Sequence, residues 1–258
     1  MDQVIRFLKK GYSWILKTKT SLSYEMYGDK NYEKYVIISR SRTGSTWLMT
    51  LLRYHPNLIC EGEIFKHLRG KSCLQIWNEF FHKKPKRIKQ VGFKLFYNHP
   101  YDQDQDVWDI IEADRDIRII HLTRRNYLRS YLSEKIGEKT KKWTESIHKP
   151  DNLLIQDKKV TLDYEECQRI FERTQQNEIN TRKRFRNHDF IEVAYEDLQE
   201  NKEEVLSKIF GFLGVSFIVE EVPNKKQNPE RISDLLINYK DLKAQLAKTQ
   251  WRDFFVEL

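Results

Sequence analysis

Cysteine is scarce: Cys60, Cys73 and Cys167 are the only three in 258 residues. Their number is odd, they form no CxxC, and no histidine stands at metal-ligand spacing from them. That pattern argues against a disulfide scaffold and against a zinc site, and the expected compartment is reducing and cytoplasmic. Glycine and proline are few as well, nine and six, which excludes collagen and low-complexity linkers. No apolar run approaches ~18 residues, so no membrane span is expected. The first residues carry neither the apolar core nor the cleavage site of a secretory signal. No internal repeat and no composition break divides the chain, so one domain is expected over 1–258, with 1–33 as an N-terminal extension.

What the chain has is charge and aromatic rings. Lys and Arg number 46 against 38 Asp and Glu, a net charge of +8, and aromatics reach 13%. The rings can fill a core despite the polarity, so the chain is expected to fold. The positive balance suggests an anionic partner only where the basic residues are concentrated.

Apolar runs rich in β-branched residues mark strands at Tyr35–Ser39, Leu58–Glu61, Val91–Leu95, Ile117–Leu122 and Phe190–Tyr195. Helical spacing appears after Trp47, over 64–88, over Asp104–Ala113, from Asn126 to about Ser133, over Leu162–Arg186, over Val205–Leu213 and over Ile232–Lys248. A further amphipathic stretch spans Val4–Leu16, and 136–160 reads as a surface loop or lid. Strands alternating with helices imply an α/β fold: three layers around a central, mainly parallel sheet of about five strands.

Ligands of such sheets bind beyond the carboxyl ends of the strands, and two of those ends are unusual. The first strand runs into Arg40-Ser41-Arg42-Thr43-Gly44-Ser45-Thr46 and then a helix. A loop opening a helix offers free N–H groups and the positive end of the dipole to an anion, although a plain Ser/Thr cap would look the same. It is not a Walker A motif, which needs an earlier glycine and a Gly-Lys pair. The fourth strand ends in Arg124-Arg125-Asn126, with Ser133 eight residues after Arg125. A forked guanidinium and a hydroxyl two helical turns on can converge on one phosphate.

On these residues the sequence resembles the sulfotransferase family that uses 3′-phosphoadenosine 5′-phosphosulfate (PAPS), in a pattern similar to bacterial carbohydrate sulfotransferases. Ser39 to Leu48 resembles the family's P-loop-like 5′-phosphosulfate loop, which implies donor contacts from Arg42, Thr43, Gly44, Ser45, Thr46 and Trp47. Arg125 to Ser133 resembles its 3′-phosphate site. Tyr195-Glu196-Asp197-Leu198 resembles a tyrosine-acidic motif after a late strand, a structural feature. Lys225-Lys226-Gln227-Asn228-Pro229 resembles the basic loop that closes over the nucleotide, which adds Lys225 and Lys226 to the donor site. PAPS is then the co-substrate, with no metal expected.

Sulfuryl transfer needs cations at the leaving oxygen and a base for the acceptor proton. Arg42 is the first cation and Lys94 the second; a lysine in an apolar strand either reaches into the cleft, the favoured reading, or snorkels to the surface. Glu63, just past the second strand, leads as base, because a Gly-Glu-aromatic segment there resembles the bacterial sugar sulfotransferases. Glu61 stays open, and His99 is the alternative, displaced from the position where cytosolic relatives carry a histidine. The acceptor is expected to be a small molecule or glycan, a carbohydrate or glycolipid hydroxyl. Basic runs at 83–89 and 139–142 leave a peripheral membrane contact open. No nucleic-acid partner is needed. A nucleotide kinase with a degenerate P-loop and a non-enzymatic basic binding protein are the competing readings.

Overall fold

The architecture comes from a computed structural model, and residues 28–102, 106–143, 153–218 and 228–256 are described. Five apolar runs form the strands: β1 Glu33–Ser39, β2 Leu58–Glu61, β3 Gln90–Phe96, β4 Arg118–Thr123 and β5 Phe190–Ala194. They pair in the order β2-β3-β1-β4-β5, every pair parallel. The expected α/β fold is thus the observed one. Alternation along β1 sorts the two cores. Tyr35 and Ile37 face helices α1 Ser45–Arg53 and α8 Lys202–Phe212, packing with Leu48, Leu52, Ile209 and Phe210. Val36 and Ile38 face the other way, toward Trp77 of α2 Cys73–Phe80, Ile111 of α3 Asp106–Ala113, and Phe65. Gly92, beside Tyr35 in the register, has no room for a side chain: a Cβ there would lie 2.5 Å from the Tyr35 carbonyl oxygen.

A third core joins α4 Tyr127–Thr140 and α6 Tyr164–Arg184 to the C-terminal segments, through Leu132, Phe171, Leu235, Leu246 and Trp251. Here the expected helix over Ile232–Lys248 is broken into α9 Ile232–Leu235 and α10 Tyr239–Leu246. A long-range bridge wins over helical spacing: Val160 N–H donates to the Leu235 carbonyl and Ile237 N–H to that of Val160, both at 2.9 Å. Between α9 and α10, Asn238 completes the tie on both polar groups of Leu162.

Two more expectations are corrected. The helical reading of 64–88 holds only for α2, where Ser72 and Gln75 form a capping box. Upstream, Leu68 and Arg69 give their N–H groups to Asp102 instead of to a helix, and Arg69 and Gly70 are left-handed. The lid read over 136–160 begins inside α4, which runs on to Thr140, and includes the short α5 Ile155–Lys158; 144–152 lie outside the described residues, as do Val4–Leu16, Asp104, Lys225 and Lys226. Among the described residues no helix is long and apolar enough to cross a membrane.

Candidate active site

The loop from β1 to α1 is shaped by two left-handed residues. Gly44, the N-cap of α1, has φ 80°, and a Cβ there would come within 2.4 Å of the Tyr195 ring. Lacking a side chain, it leaves the first-turn N–H groups of α1 uncapped, the arrangement that receives anions. Arg42 has φ 65°, a conformation that costs a non-glycine residue ~1–3 kcal/mol. It is held there by two donors on its carbonyl oxygen, Arg124 Nη1 at 2.9 Å and Ser130 Oγ at 3.1 Å. Thr43 Oγ donates to the Arg40 carbonyl at 2.9 Å, and Arg40 pairs with Glu134. The Arg42 guanidinium turns inward, with Nε and Nη2 on Ser133 Oγ at 3.0 and 2.8 Å and Nη1 on the Trp143 carbonyl at 2.6 Å. Burial first, then the neighbouring Arg124 cation, lowers its pKa to about 10; it is still charged at neutral pH.

Lys94 points into the same end of the sheet. Its side chain is buried, with Nζ 3.2 Å from Thr46 Oγ in the first turn of α1 and 3.1 Å from Glu63 Oε1. Burial lowers its pKa, and the Glu63 carboxylate opposes that. Glu63 stays 23% exposed, reachable from solvent; its Oε2 lies 3.7 Å from Lys66 Nζ and 3.8 Å from His99 Nε2. Glu61, the other carboxylate considered, pairs with Arg53 at 3.1 Å on the outer side of β2. A base must reach an acceptor; His99 is 0% exposed, which favours Glu63 over it.

The expected convergence of Arg125 and Ser133 is not what the structure brings together. Arg125 is 61% exposed and binds Asp197 at 2.6 Å. Ser133 instead meets Arg42 and Asn228, whose Nδ2 lies 3.3 Å from Oγ. Of the two adjacent arginines, Arg124 is the interior one: its guanidinium lies 4.5 Å over the Tyr195 ring, and burial lowers its pKa. Glu196 accepts the N–H groups of Arg125 and Asn126 at 3.0 and 3.3 Å, fixing the start of α4. The Tyr195-Glu196 pair, which opens α7 Tyr195–Glu200, therefore buttresses both loops. Beside it, a cleft of about 280 Å³ is lined by Arg124, Arg125, Glu178, Arg182, Glu192 and Asp197.

Sequence reasoning missed Lys66 and Glu134; it named Arg40 and Asn228 only as members of their loops, and left Arg124 open between the site and solvent. Glu134 carried a signal, standing next to Ser133 and opposite in charge to the loop. Ser39 Oγ and Trp47 Nε1, at the two ends of the loop, are buried without a hydrogen-bond partner among the described residues. Buried polar atoms are normally paired, so two orphans flanking an uncapped helix and a desolvated arginine fit an anionic group. Among the described residues no three His, Cys, Asp or Glu side chains gather as a metal site.

The sequence signature of the sulfotransferase family matches residues 105–219, the stretch that carries β4, Ser133 and Tyr195. Nodulation protein H of Rhizobium tropici is 24% identical over 241 residues, covering 86% of this chain and 93% of its own length. Nodulation protein H of Rhizobium meliloti is 21% identical, covering 86% and 94%. A sulfotransferase structure from Alicyclobacillus acidocaldarius shares the fold, with a TM-score of 0.51 at 17% identity, over 86% of this chain and 90% of that one. Over residues 105–219 the chain carries the sulfotransferase signature, and together with the relatives and the shared fold this supports a PAPS-dependent sulfotransferase enzyme.

Proposed function

We propose that the enzyme sulfates a hydroxyl of a carbohydrate or glycolipid with PAPS as donor, and that Glu63 is the base. One observation carries the reading. Glu63, Lys94 and Thr46 form a continuous chain, with contacts of 3.1 and 3.2 Å, from a solvent-reachable carboxylate to the first turn of α1. Base, cation and anion loop are thereby adjacent. PAPS supplies the sulfuryl group and departs as the 3′,5′-bisphosphate.

The chain's own residues divide the remaining work. The uncapped N–H groups after Gly44, with Thr43, Ser45, Thr46 and Trp47, hold the 5′ end of the donor. Lys94 offsets charge at the leaving oxygen, already partly desolvated for that task. Arg42 and Ser133 hold donor phosphate oxygens together, and Arg125 joins them on leaving Asp197, an exposed pair worth only about 0–1 kcal/mol. Glu63 accepts the proton of the acceptor hydroxyl. Tyr101, 48% exposed and with His99 packed on its ring, offers a face beside Glu63 for a sugar.

The test is a screen with ³⁵S-labelled PAPS against oligosaccharides, glycolipids and phenols. Transfer to a carbohydrate hydroxyl, lost in Glu63→Gln while calorimetric affinity for the 3′,5′-bisphosphate persists, is expected. Label on phenols alone would overturn the acceptor class, and wild-type turnover in Glu63→Gln would overturn the base.

A further inference from the structure

The ring of His99 is the most constrained polar side chain near Glu63. It is fully buried, and its Nδ1 accepts the Phe96 N–H at 3.3 Å. A ring nitrogen that accepts a hydrogen bond carries no proton, so in the neutral ring the hydrogen sits on Nε2. Among the described residues that Nε2 has no hydrogen-bond partner, and it lies 3.8 Å from Glu63 Oε2. Phe96 packs on the ring at 5.0 Å and Tyr101 at 4.8 Å, and the His99 carbonyl takes the Trp108 indole N–H at 2.9 Å, which fixes the backbone that carries the ring. Glu63, in a partly exposed turn, is the side that can move.

The geometry points to His99 as a positioning residue: a neutral Nε2–H donor that fixes the Glu63 carboxylate, Oε2 on the ring and Oε1 on Lys94, in the orientation that accepts the proton. The inference rests on Glu63 being the base. The charged or titratable groups facing the pair are Lys94 from β3, Lys66 and His67 from the turn after β2, and Tyr101 from the loop after β3. Burial, with Lys66, Lys94 and His67 against the pull of Glu63, brings the His99 pKa down to about 4. The ring is therefore neutral across any ordinary assay. A third cation at this point would stabilise the carboxylate as an anion and weaken it as a base; a neutral donor orients it with less of that effect.

Two variants separate orientation from folding. His99→Asn keeps an acceptor for the Phe96 N–H and removes the donor to Glu63. His99→Gln carries an amide N–H toward the Nε2 position and gives up the Nδ1 acceptor. In His99→Asn, kcat should fall about tenfold, as for one lost hydrogen bond to a charged group, with donor KM unchanged. The acid limb of its kcat–pH profile should move to higher pH, because a carboxylate deprived of a donor protonates more readily. His99→Gln should keep kcat and the limb but melt at lower temperature. Equal losses in both variants that track melting temperature, or an unmoved acid limb in His99→Asn, would overturn the inference. Long-range ¹⁵N spectra of the wild-type protein should show His99 protonated on Nε2 from pH 5 to 8; protonation on Nδ1 overturns it without any variant. Failure of the base reading is distinct, showing as wild-type turnover in Glu63→Gln. In that event the ¹³C titration of the Glu63 carboxyl still decides the contact: it shifts in His99→Asn if the contact is made, and an unshifted curve refutes it.

Discussion

At the β2–β3 edge one carboxylate, Glu63, faces Lys94, Lys66 and a His99 nitrogen that has no hydrogen-bond partner among the described residues. At the β4–β5 edge Arg182 grips both oxygens of Glu192 at 2.7 and 3.0 Å, and His121 Nδ1 reaches Glu192 Oε2 at 2.8 Å. Because Nδ1 donates there, His121 Nε2 accepts the Tyr97 hydroxyl at 2.7 Å. Tyr127 donates to Glu178 at 2.9 Å, and Arg125 pairs with Asp197. Although burial alone would raise the pKa of Glu192, its bonds from His121 and Arg182 bring it to about 2. The second edge spends its ionisable groups on one another, as structural networks do. The first leaves donors unmatched around one reachable carboxylate, and groups so placed are the ones available to a substrate.

The largest effect that would sharpen this contrast is at Glu63. Glu63→Gln should lower kcat by ~10²–10⁴-fold, the usual worth of a general base, with 3′,5′-bisphosphate affinity unchanged by calorimetry. Next comes Arg42→Ala. Losing hydrogen bonds from a charged group, about 1.5–3 kcal/mol, should weaken bisphosphate binding at least tenfold; undiminished affinity would remove Arg42 from the donor site.

Glu178 probes the other edge through stability alone. Burial raises its pKa from 4.5 to about 7 against the bonds from Tyr127 and Arg182. Between those values the folded protein holds the proton more tightly than the unfolded chain, so stability is lost as pH rises through that window. Glu178→Gln, free of that loss, should gain on the wild type by on the order of 1–3 kcal/mol between pH 4.5 and 8 in denaturant titrations. A constant gap would contradict the shift. The smallest effect is expected for Arg125→Ala, about 0–1 kcal/mol in stability for an exposed pair. Its bisphosphate affinity should fall nonetheless, because Arg125 joins the donor site on leaving Asp197; undiminished affinity would keep Arg125 with Asp197 and leave the donor to the Arg42 side alone.

Much of the fold was legible because its strands are short, apolar and β-branched: β2 lies at Leu58–Glu61 as expected, and the other strands agree to within two residues at either end. The loop after β1 was legible for the same reason, being the polar Gly-containing segment between a strand and a helix. The Arg124–Arg125 pair was not. Consecutive residues leaving a strand point to opposite sides, and nothing local says which arginine goes inward; the Tyr195 ring, far along the chain, decides it. The break at Leu236 was hidden likewise, since the Val160 bridge that causes it is not a local signal. His99 was visible as a residue but not as a role, which depends on a backbone N–H from Phe96 taking one side of its ring.

β1 occupies the middle of the sheet yet is synthesised before its partners. Its two flanks wait for strands that begin at Gln90 and Arg118, so folding depends on pairings far apart in sequence and should be slow for a chain of this size. Until β4 emerges, a strand of Tyr35, Val36, Ile37 and Ile38 presents an open edge to other nascent chains. The anion loop also matures late, because the residues that hold the Arg42 carbonyl, Arg124 and Ser130, arrive only after β4 has been made.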